Sequence, residues 1–242
     1  MKTSVFHSVN AGLYFYFQNT GIWIDGIHDG SGVGMSLMPD ELIKDMECGT
    51  GLFQCVSGFV FTHLHEDHFN KEKTERFLQR ASCETAVYTP TAYSEAVKPE
   101  PLAEGVKRLS VGSGEVLTKK TMHDGEGYQK APHESVLLRL GGESFYIAGD
   151  AVLDVKDAKI LGAYGEHMKM AFLNLYQLGD SCAEEFLQKL GARCVMLYHL
   201  PFPEDDRFSY RIMARQIMKK RCESLEKLGI CVKVPKHMTW IK

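Results

Sequence analysis

Apolar and polar positions change period several times along the chain. Residues 13–17 and 21–24 are short aromatic and β-branched runs on either side of Gln18-Asn19-Thr20-Gly21, whose Asn and Gly suit a hairpin turn. Residues 26–51 are rich in glycine, interrupted by a short helix at 39–46; so long a segment inside a compact domain is usually functional or mobile, and a lid is one reading of it. An apolar run at 57–61 predicts a buried strand, and the polar, charged stretch 70–81 a surface helix. Between 86 and 120 come short β-like runs, at 86–88, 106–109 and 115–117, broken by proline and glycine. Residues 134–140 and 144–147 flank Gly141-Gly142 as a second hairpin. A strand at 171–176, a helix near Ser181 and a strand at 194–198 follow. Ser181 and Glu184 form a capping-box pattern for that helix, and Gly191 is its stop. Tyr210, Met213, Ile217, Leu225 and Leu228 fall near helical spacing over 207–228, Gly229 ends that element, and a strand at 231–234 closes the chain.

This order of strands and helices predicts two sheets with helices packed outside them. No proline-rich linker, composition break or repeat divides the 242 residues, so a single domain over 1–242 is expected. A hydrophobic fraction of 44% with 24% charged residues is that of a soluble globular protein and excludes disorder, collagen-like repeats and coiled coil. Lys plus Arg is 28 against 31 Asp plus Glu, a net charge of −3, which argues against nucleic acid or an anionic membrane as partner; Lys219-Lys220-Arg221 reads as a solvated helix face. The seven cysteines, Cys48, Cys55, Cys83, Cys182, Cys194, Cys222 and Cys231, are odd in number and contain no C-x-x-C pair, so they read as free thiols. The first residues lack the apolar core and cleavage site of an export signal, and no apolar run approaches the roughly 18 residues a bilayer needs. A cytoplasmic protein is expected.

The chemistry concentrates in Phe61-Thr62-His63-Leu64-His65-Glu66-Asp67-His68-Phe69, with three histidines and an aspartate in six positions. Residues two apart in an extended segment point to the same side, so His63 and His65 can chelate one ion from the end of the preceding strand. Asp67 and His68 sit where the chain turns into a helix and can face a second ion. Imidazole and carboxylate suit zinc, with manganese or iron also compatible.

With this motif the sequence resembles the metallo-β-lactamase-fold hydrolase superfamily over nearly its whole length. The resemblance implies an αββα sandwich in the α/β (α+β) class, two mixed sheets flanked by helices with the site at one edge. It extends to His133 in Ala-Pro-His-Glu-Ser-Val, Asp150 in Ala-Gly-Asp-Ala, His199 in Leu-Tyr-His-Leu-Pro and Asp25 in Trp-Ile-Asp-Gly. It implies that His63, His65 and His133 hold one divalent metal, that Asp67, His68 and His199 hold the other, and that Asp150 bridges them, with Asp25 orienting a ligand from behind. Two ions lower the pKa of water and clamp attacking and leaving oxygens, so the expected nucleophile is a bridging hydroxide hydrogen-bonded to Asp67, with Asp67 and Asp150 the catalytic carboxylates.

Lactamases, glyoxalase II-type thioesterases and transfer-RNA 3′-processing ribonucleases of the superfamily usually carry glycine soon after the first motif, where this chain has Phe69-Asn70-Lys71. It looks more like the branch containing the ascorbate-phosphate lactonase. The implied substrate is a small-molecule ester, lactone or phosphorylated metabolite. A phosphodiesterase or nuclease using the same site is the first alternative, a non-catalytic metal-binding sensor or scaffold the second. Of the other histidines, His7, His123, His167 and His237 read as exposed or core-edge residues, because none sits in a ligand-spaced group. His28, beside Asp25 in the glycine-rich loop, is a candidate for facing the substrate, and Tyr198, next to His199, a candidate polar contact.

Overall fold

A computed structural model describes residues 2–81 and 84–242, so Cys83 lies outside the described residues. Fourteen strands are described: β1 Ser4–His7, β2 Leu13–Phe17, β3 Thr20–Ile24, β4 Gly58–Val60, β5 Ala86–Tyr88, β6 Glu100–Pro101, β7 Val106–Val111, β8 Gly114–Lys120, β9 Glu134–Leu140, β10 Glu143–Ile147, β11 Met168–Leu173, β12 Cys194–Leu197, β13 Cys231–Lys233 and β14 Thr239–Ile241. The helices are α1 Asp40–Cys48, α2 Lys71–Arg80, α3 Val155–Tyr164, α4 Leu175–Gly179, α5 Ala183–Leu190 and α6 Tyr210–Lys227. The strands form a six-stranded sheet in the order β14-β1-β2-β3-β4-β5 and an eight-stranded sheet in the order β13-β12-β11-β10-β9-β8-β7-β6. Both are mixed: β3 pairs with β4 and β4 with β5 in parallel, as do β10, β11, β12 and β13, and the other pairs are antiparallel.

Four layers follow from which side chains the alternation buries. Between the sheets lie Leu13, Phe15, Ile22, Ile24 and Val60 from one side and Val136, Leu138, Phe145, Ile147 and Phe172 from the other. The ring of Phe15 sits 5.1 Å from Phe145 and edge-on to Phe172 at 6.0 Å. On the outer face of the six-stranded sheet, Trp23, Phe53, Phe59 and Phe61 pack against Leu42 and Met46 of α1 and Phe77 of α2. The outer face of the other sheet is covered by Ala158 and Leu161 of α3, Phe186 and Leu187 of α5, and Ala214 and Leu225 of α6. This is the αββα sandwich.

Local signals explain most boundaries. The Phe17↔Thr20 pairing leaves a two-residue turn at Gln18-Asn19, with Gln18 at φ +53°. Asn70 caps α2 by accepting from Lys73 N at 2.9 Å, and Gly191 ends α5 at φ +79°. Four expectations are corrected. The cap expected from Ser181 does not form: Asp180 Oδ1 accepts from Cys182 N at 2.8 Å, Cys182 becomes the N-cap, and no side chain caps α5. A capping box stands instead at Asn174 and Gln177 on α4, which ends the strand expected at 171–176 at Leu173. Nor is 231–234 the last strand: β14 follows and pairs with β1, itself too short and too mixed in pattern to announce itself. On α6, Arg221 is a tether rather than part of a solvated face, because its guanidinium donates to the carbonyls of Gly179 and Asp180. No described helix is long and apolar enough to cross a membrane.

Candidate metal centre

The parallel and antiparallel pairings bring one set of strand ends to a single edge of the sandwich. β3 and β4 run the same way in one sheet, and β8, β10, β11 and β12 run the same way in the other. Asp25 follows β3, the His63–His68 motif follows β4, His123 follows β8, Asp150 follows β10, Asn174 follows β11 and His199 follows β12. Backbone contacts tie the edge together: Asp25 N donates to Val60 O at 3.1 Å, Glu134 N to Thr62 O at 2.9 Å across the sheets, and His199 N to Asn10 O at 3.1 Å. Asp25 and His199 adopt φ values of +50° and +58°, left-handed conformations that non-glycine residues hold only when their surroundings impose them.

Two groups of potential ligand atoms result, His63, His65 and His123 in one and Asp67, His68, Asp150 and His199 in the other. His199 Nε2 lies 3.1 Å from Asp67 Oδ2, and His199 Nδ1 3.7 Å from Asp150 Oδ1. His68 Nε2 stands 3.6 Å from Asp150 Oδ2 and 3.9 Å from Asp67 Oδ2. Asp150 Oδ2 also lies 4.0 Å from His63 Nε2 and 3.9 Å from His123 Nε2, so this carboxylate faces both groups. Behind them, Asp25 Oδ2 accepts from His68 Nδ1 at 2.9 Å and from Thr62 Oγ1 at 2.7 Å, while Asp25 Oδ1 accepts from Thr62 N at 2.8 Å. With Nδ1 donating to Asp25, Nε2 is the ring nitrogen that His68 turns toward the two carboxylates.

His133 does not take the place expected of it. Its Nδ1 is 2.7 Å from Thr121 Oγ1 and its Nε2 accepts from Asp150 N at 2.9 Å, so both ring nitrogens are engaged within the protein. The third histidine beside His63 and His65 is His123. Its Nδ1 donates to the Asp124 carbonyl, which turns Nε2 inward to 3.1 Å from His65 Nδ1. His123 gives no spacing signal, but it stands three residues past the end of β8, as Asp150 stands three past β10 and His199 two past β12. The two candidate substrate contacts are also corrected. His28 is fully buried, with Nδ1 3.4 Å from Asn10 Nδ2, and Tyr198 packs edge-on to Phe172 between the sheets; neither lines the cavity at the site.

The electrostatics call for positive charge here. Burial alone would raise the pKa of Asp67, but His68 and His199 outweigh it and bring it to about 2. Burial likewise opposes ionisation of Asp150, and His199, His68 and His63 hold its pKa well below the usual range. His68 is pulled the other way: burial disfavours its cation, yet Asp25, Asp67 and Asp150 raise its pKa well above 6.5. Burial lowers His63, and burial followed by the charge of His123 lowers His65, so both stay neutral donors near pH 7. The fit to metal ions rests on two atoms: His63 Nε2 and His68 Nε2 are buried without a hydrogen-bond partner, each facing carboxylate oxygen. A buried, unpaired imidazole nitrogen is costly unless a cation fills the gap. All-nitrogen and oxygen donors without thiolate suit zinc, manganese or iron.

Beside these groups opens a cavity of about 520 Å³, whose walls include His65, Asp67, His123, Asp150 and His199. Val33 and Met35 of the glycine-rich segment form part of its wall. That segment is fixed to the body by the bridge Ile27↔Phe69, by Asp29 N donating to Glu66 O at 2.6 Å and by Asn10, whose side chain bonds both backbone groups of Ser36.

No family model matches the sequence, and no curated protein does. Solved structures do. Igni18, a metallo hydrolase from the archaeon Ignicoccus hospitalis, aligns at a TM-score of 0.61 with 16% identity over 99% of this chain and 97% of its own. CmlA, a diiron β-hydroxylase from Streptomyces venezuelae, aligns at 0.68 with 13% identity over all of this chain, which spans 54% of CmlA. YhfI from Bacillus subtilis, described as a metallo-β-lactamase fold protein, aligns at 0.53 with 13% identity over 99% of this chain and 98% of its own. At such identities the likeness is one of fold, and the fold is that of the metallo-β-lactamases.

Proposed function

We propose that the protein is a metal-dependent hydrolase with a dinuclear centre, acting on a small-molecule ester, lactone or phosphorylated metabolite. The observation that carries the reading is the convergence of seven side chains from four separate stretches of chain beside one open cavity, with two inward-facing imidazole nitrogens left unpaired. His63, His65 and His123 would hold one ion, Asp67, His68 and His199 the other, and Asp150 faces both. Such ions, zinc by the nitrogen and oxygen donor set, which suits manganese or iron as well, would supply Lewis acidity that can bring the pKa of water from 15.7 to about 7.

The chain's own residues do the rest. Asp67, ionised at every physiological pH, would accept a proton from water entering between the two groups, and His199 Nε2 at 3.1 Å steadies its charge. Asn174 Nδ2 donates to Asp150 Oδ1 at 3.1 Å and fixes the orientation of that carboxylate. Asp25 holds the His68 ring with Nε2 inward. The test is elemental analysis of protein purified without added metal, followed by chelation. Close to two ions per chain are expected, with hydrolysis lost on removal and restored on reloading; His65→Ala and Asp150→Asn should lose both metal and turnover. Unchanged turnover in either variant overturns the reading.

A further inference from the structure

The walls of the cavity narrow the substrate class, given that the site is a hydrolase centre as read above. Among the described residues lining it there is no lysine and no arginine, whereas four carboxylates, Glu66, Asp67, Asp124 and Asp150, stand around it. A site for a phosphorylated or otherwise anionic molecule needs charge-assisted donors for its oxygens, most often guanidinium or ammonium groups. Beyond the two ions, which would meet the reacting group of any substrate, nothing in this wall answers that need, and the two carboxylates outside the proposed ligand set, Glu66 and Asp124, repel further negative charge on the substrate. Two basic residues of adjoining segments are committed elsewhere: Lys73 Nζ donates to His28 O and Arg211 Nη1 to Pro201 O.

What the cavity presents instead is apolar and aromatic. Val33, Leu64, Tyr128 and Tyr176 all line it and are all large hydrophobics exposed at 40–54% of their surface, so the mouth is a rim of unsheltered carbon. Tyr128 stands against the metal ligands, its ring 5.0 Å from that of His65 and 5.5 Å from that of His123. Tyr210 and Met35 also line it. A cavity of about 520 Å³ is in the range that encloses a small organic molecule.

We infer that the substrate is an uncharged ester or lactone with an apolar body, and that Tyr128 and Tyr176 are the residues that select it. The reaction is the addition of water across the acyl C–O bond: the water oxygen joins the carbonyl carbon, the C–O bond breaks, and a proton passes to the leaving alkoxide, giving acid and alcohol with no oxidant or reductant. Phosphate esters are discriminated against for want of a cationic side chain.

Two measurements on the metal-loaded protein test this separately from the hydrolase reading. Calorimetric titration compares octanamide, uncharged and not an ester, with octanesulfonate, an anion of the same apolar body that coordinates metal only weakly. Octanamide is expected to bind more tightly, and the Tyr128→Ala/Tyr176→Ala variant to lose about 10-fold or more of that affinity while keeping its metal. Tighter binding of octanesulfonate, or octanamide binding unchanged in the variant, overturns the inference whatever the turnover. In the second measurement, kcat/KM for p-nitrophenyl esters should climb from acetate to hexanoate by roughly threefold to fourfold per methylene, with bis-p-nitrophenyl phosphate at least about 100-fold below hexanoate. A flat series, or a preference for the phosphodiester, overturns it. Octanamide binding with no hydrolysis of any ester would instead uphold the apolar site and remove the hydrolase reading.

Discussion

His123 and His133 lie ten positions apart, equally isolated in the sequence, and the structure gives them opposite tasks. His133 spends both ring nitrogens on Thr121 and the Asp150 backbone, while His123 turns Nε2 toward His65 and Asp150. His123→Ala should therefore lower metal affinity by at least about 100-fold, beyond the 10- to 100-fold that loss of a supporting contact costs. His133→Ala should keep the metal count but lose about 1–3 kcal/mol of stability through its unpaired buried partners. Metal analysis beside denaturant midpoints separates the two, and the reverse pattern would restore His133 as the ligand. Gly149 marks the same spot from the backbone side: it sits at φ +59°, and a Cβ there would come 2.7 Å from both His133 Nε2 and Thr62 Oγ1. Gly149→Ala is expected to cost at least about 1–2 kcal/mol from the left-handed backbone alone, read by thermal or chemical unfolding. The dense motif at 63–68 is legible in sequence because its ligands are local. The choice between His123 and His133 is not, since it depends on which ring meets a hydroxyl and a backbone amide brought from elsewhere.

At the scale of elements, the hairpins and the cap of α2 follow from local chemistry, and so they can be read directly. The cap of α5 could not be, because Ser181-x-x-Glu184 competes with Asp180, one residue earlier, whose carboxylate reaches Cys182 N first. The box that does form, Asn174 with Gln177, has a second duty: Asn174 caps α4 with its oxygen and holds Asp150 with its nitrogen. These duties can be split. Asn174→Ala should lose about 1 kcal/mol of stability together with metal retention, whereas Asn174→Ser should keep the cap and lose only the Asp150 contact. Equal metal retention in wild type and both variants would show that Asp150 needs no such support. Strands β1 and β14 illustrate the remaining limit: three or four residues carry too few alternations to reveal a strand, and their pairing joins segments more than two hundred residues apart.

For the whole molecule, the buried histidine away from the metal centre predicts how stability responds to acid. His7 is 1% exposed, and burial lowers its pKa from 6.5 to about 4, although the carbonyls of Asn10 and Lys236 pull it back upward. Below pH 6.5 the unfolded chain takes up a proton that the folded His7 refuses, so the part of the stability that depends on His7 falls between pH 6.5 and 4 and levels off beneath. Two and a half pH units correspond to about 3 kcal/mol. His7→Gln should flatten that part of the profile relative to wild type in chelated protein, which urea midpoints at pH 7, 5.5 and 4.5 would show; parallel profiles would count against the assignment. The register beside His7 has a mechanical consequence. Val5 pairs with Ile241, Phe6 with Trp240 and His7 with Thr239, so the first and last strands lie side by side with their outer ends together. Tension applied to those ends pulls across the ladder rather than along it, and rungs break singly, beginning at Val5. Such a seam peels at low force while the sandwich behind it still holds, and in an optical trap it should give way as a small early step of three residue pairs before the main rupture.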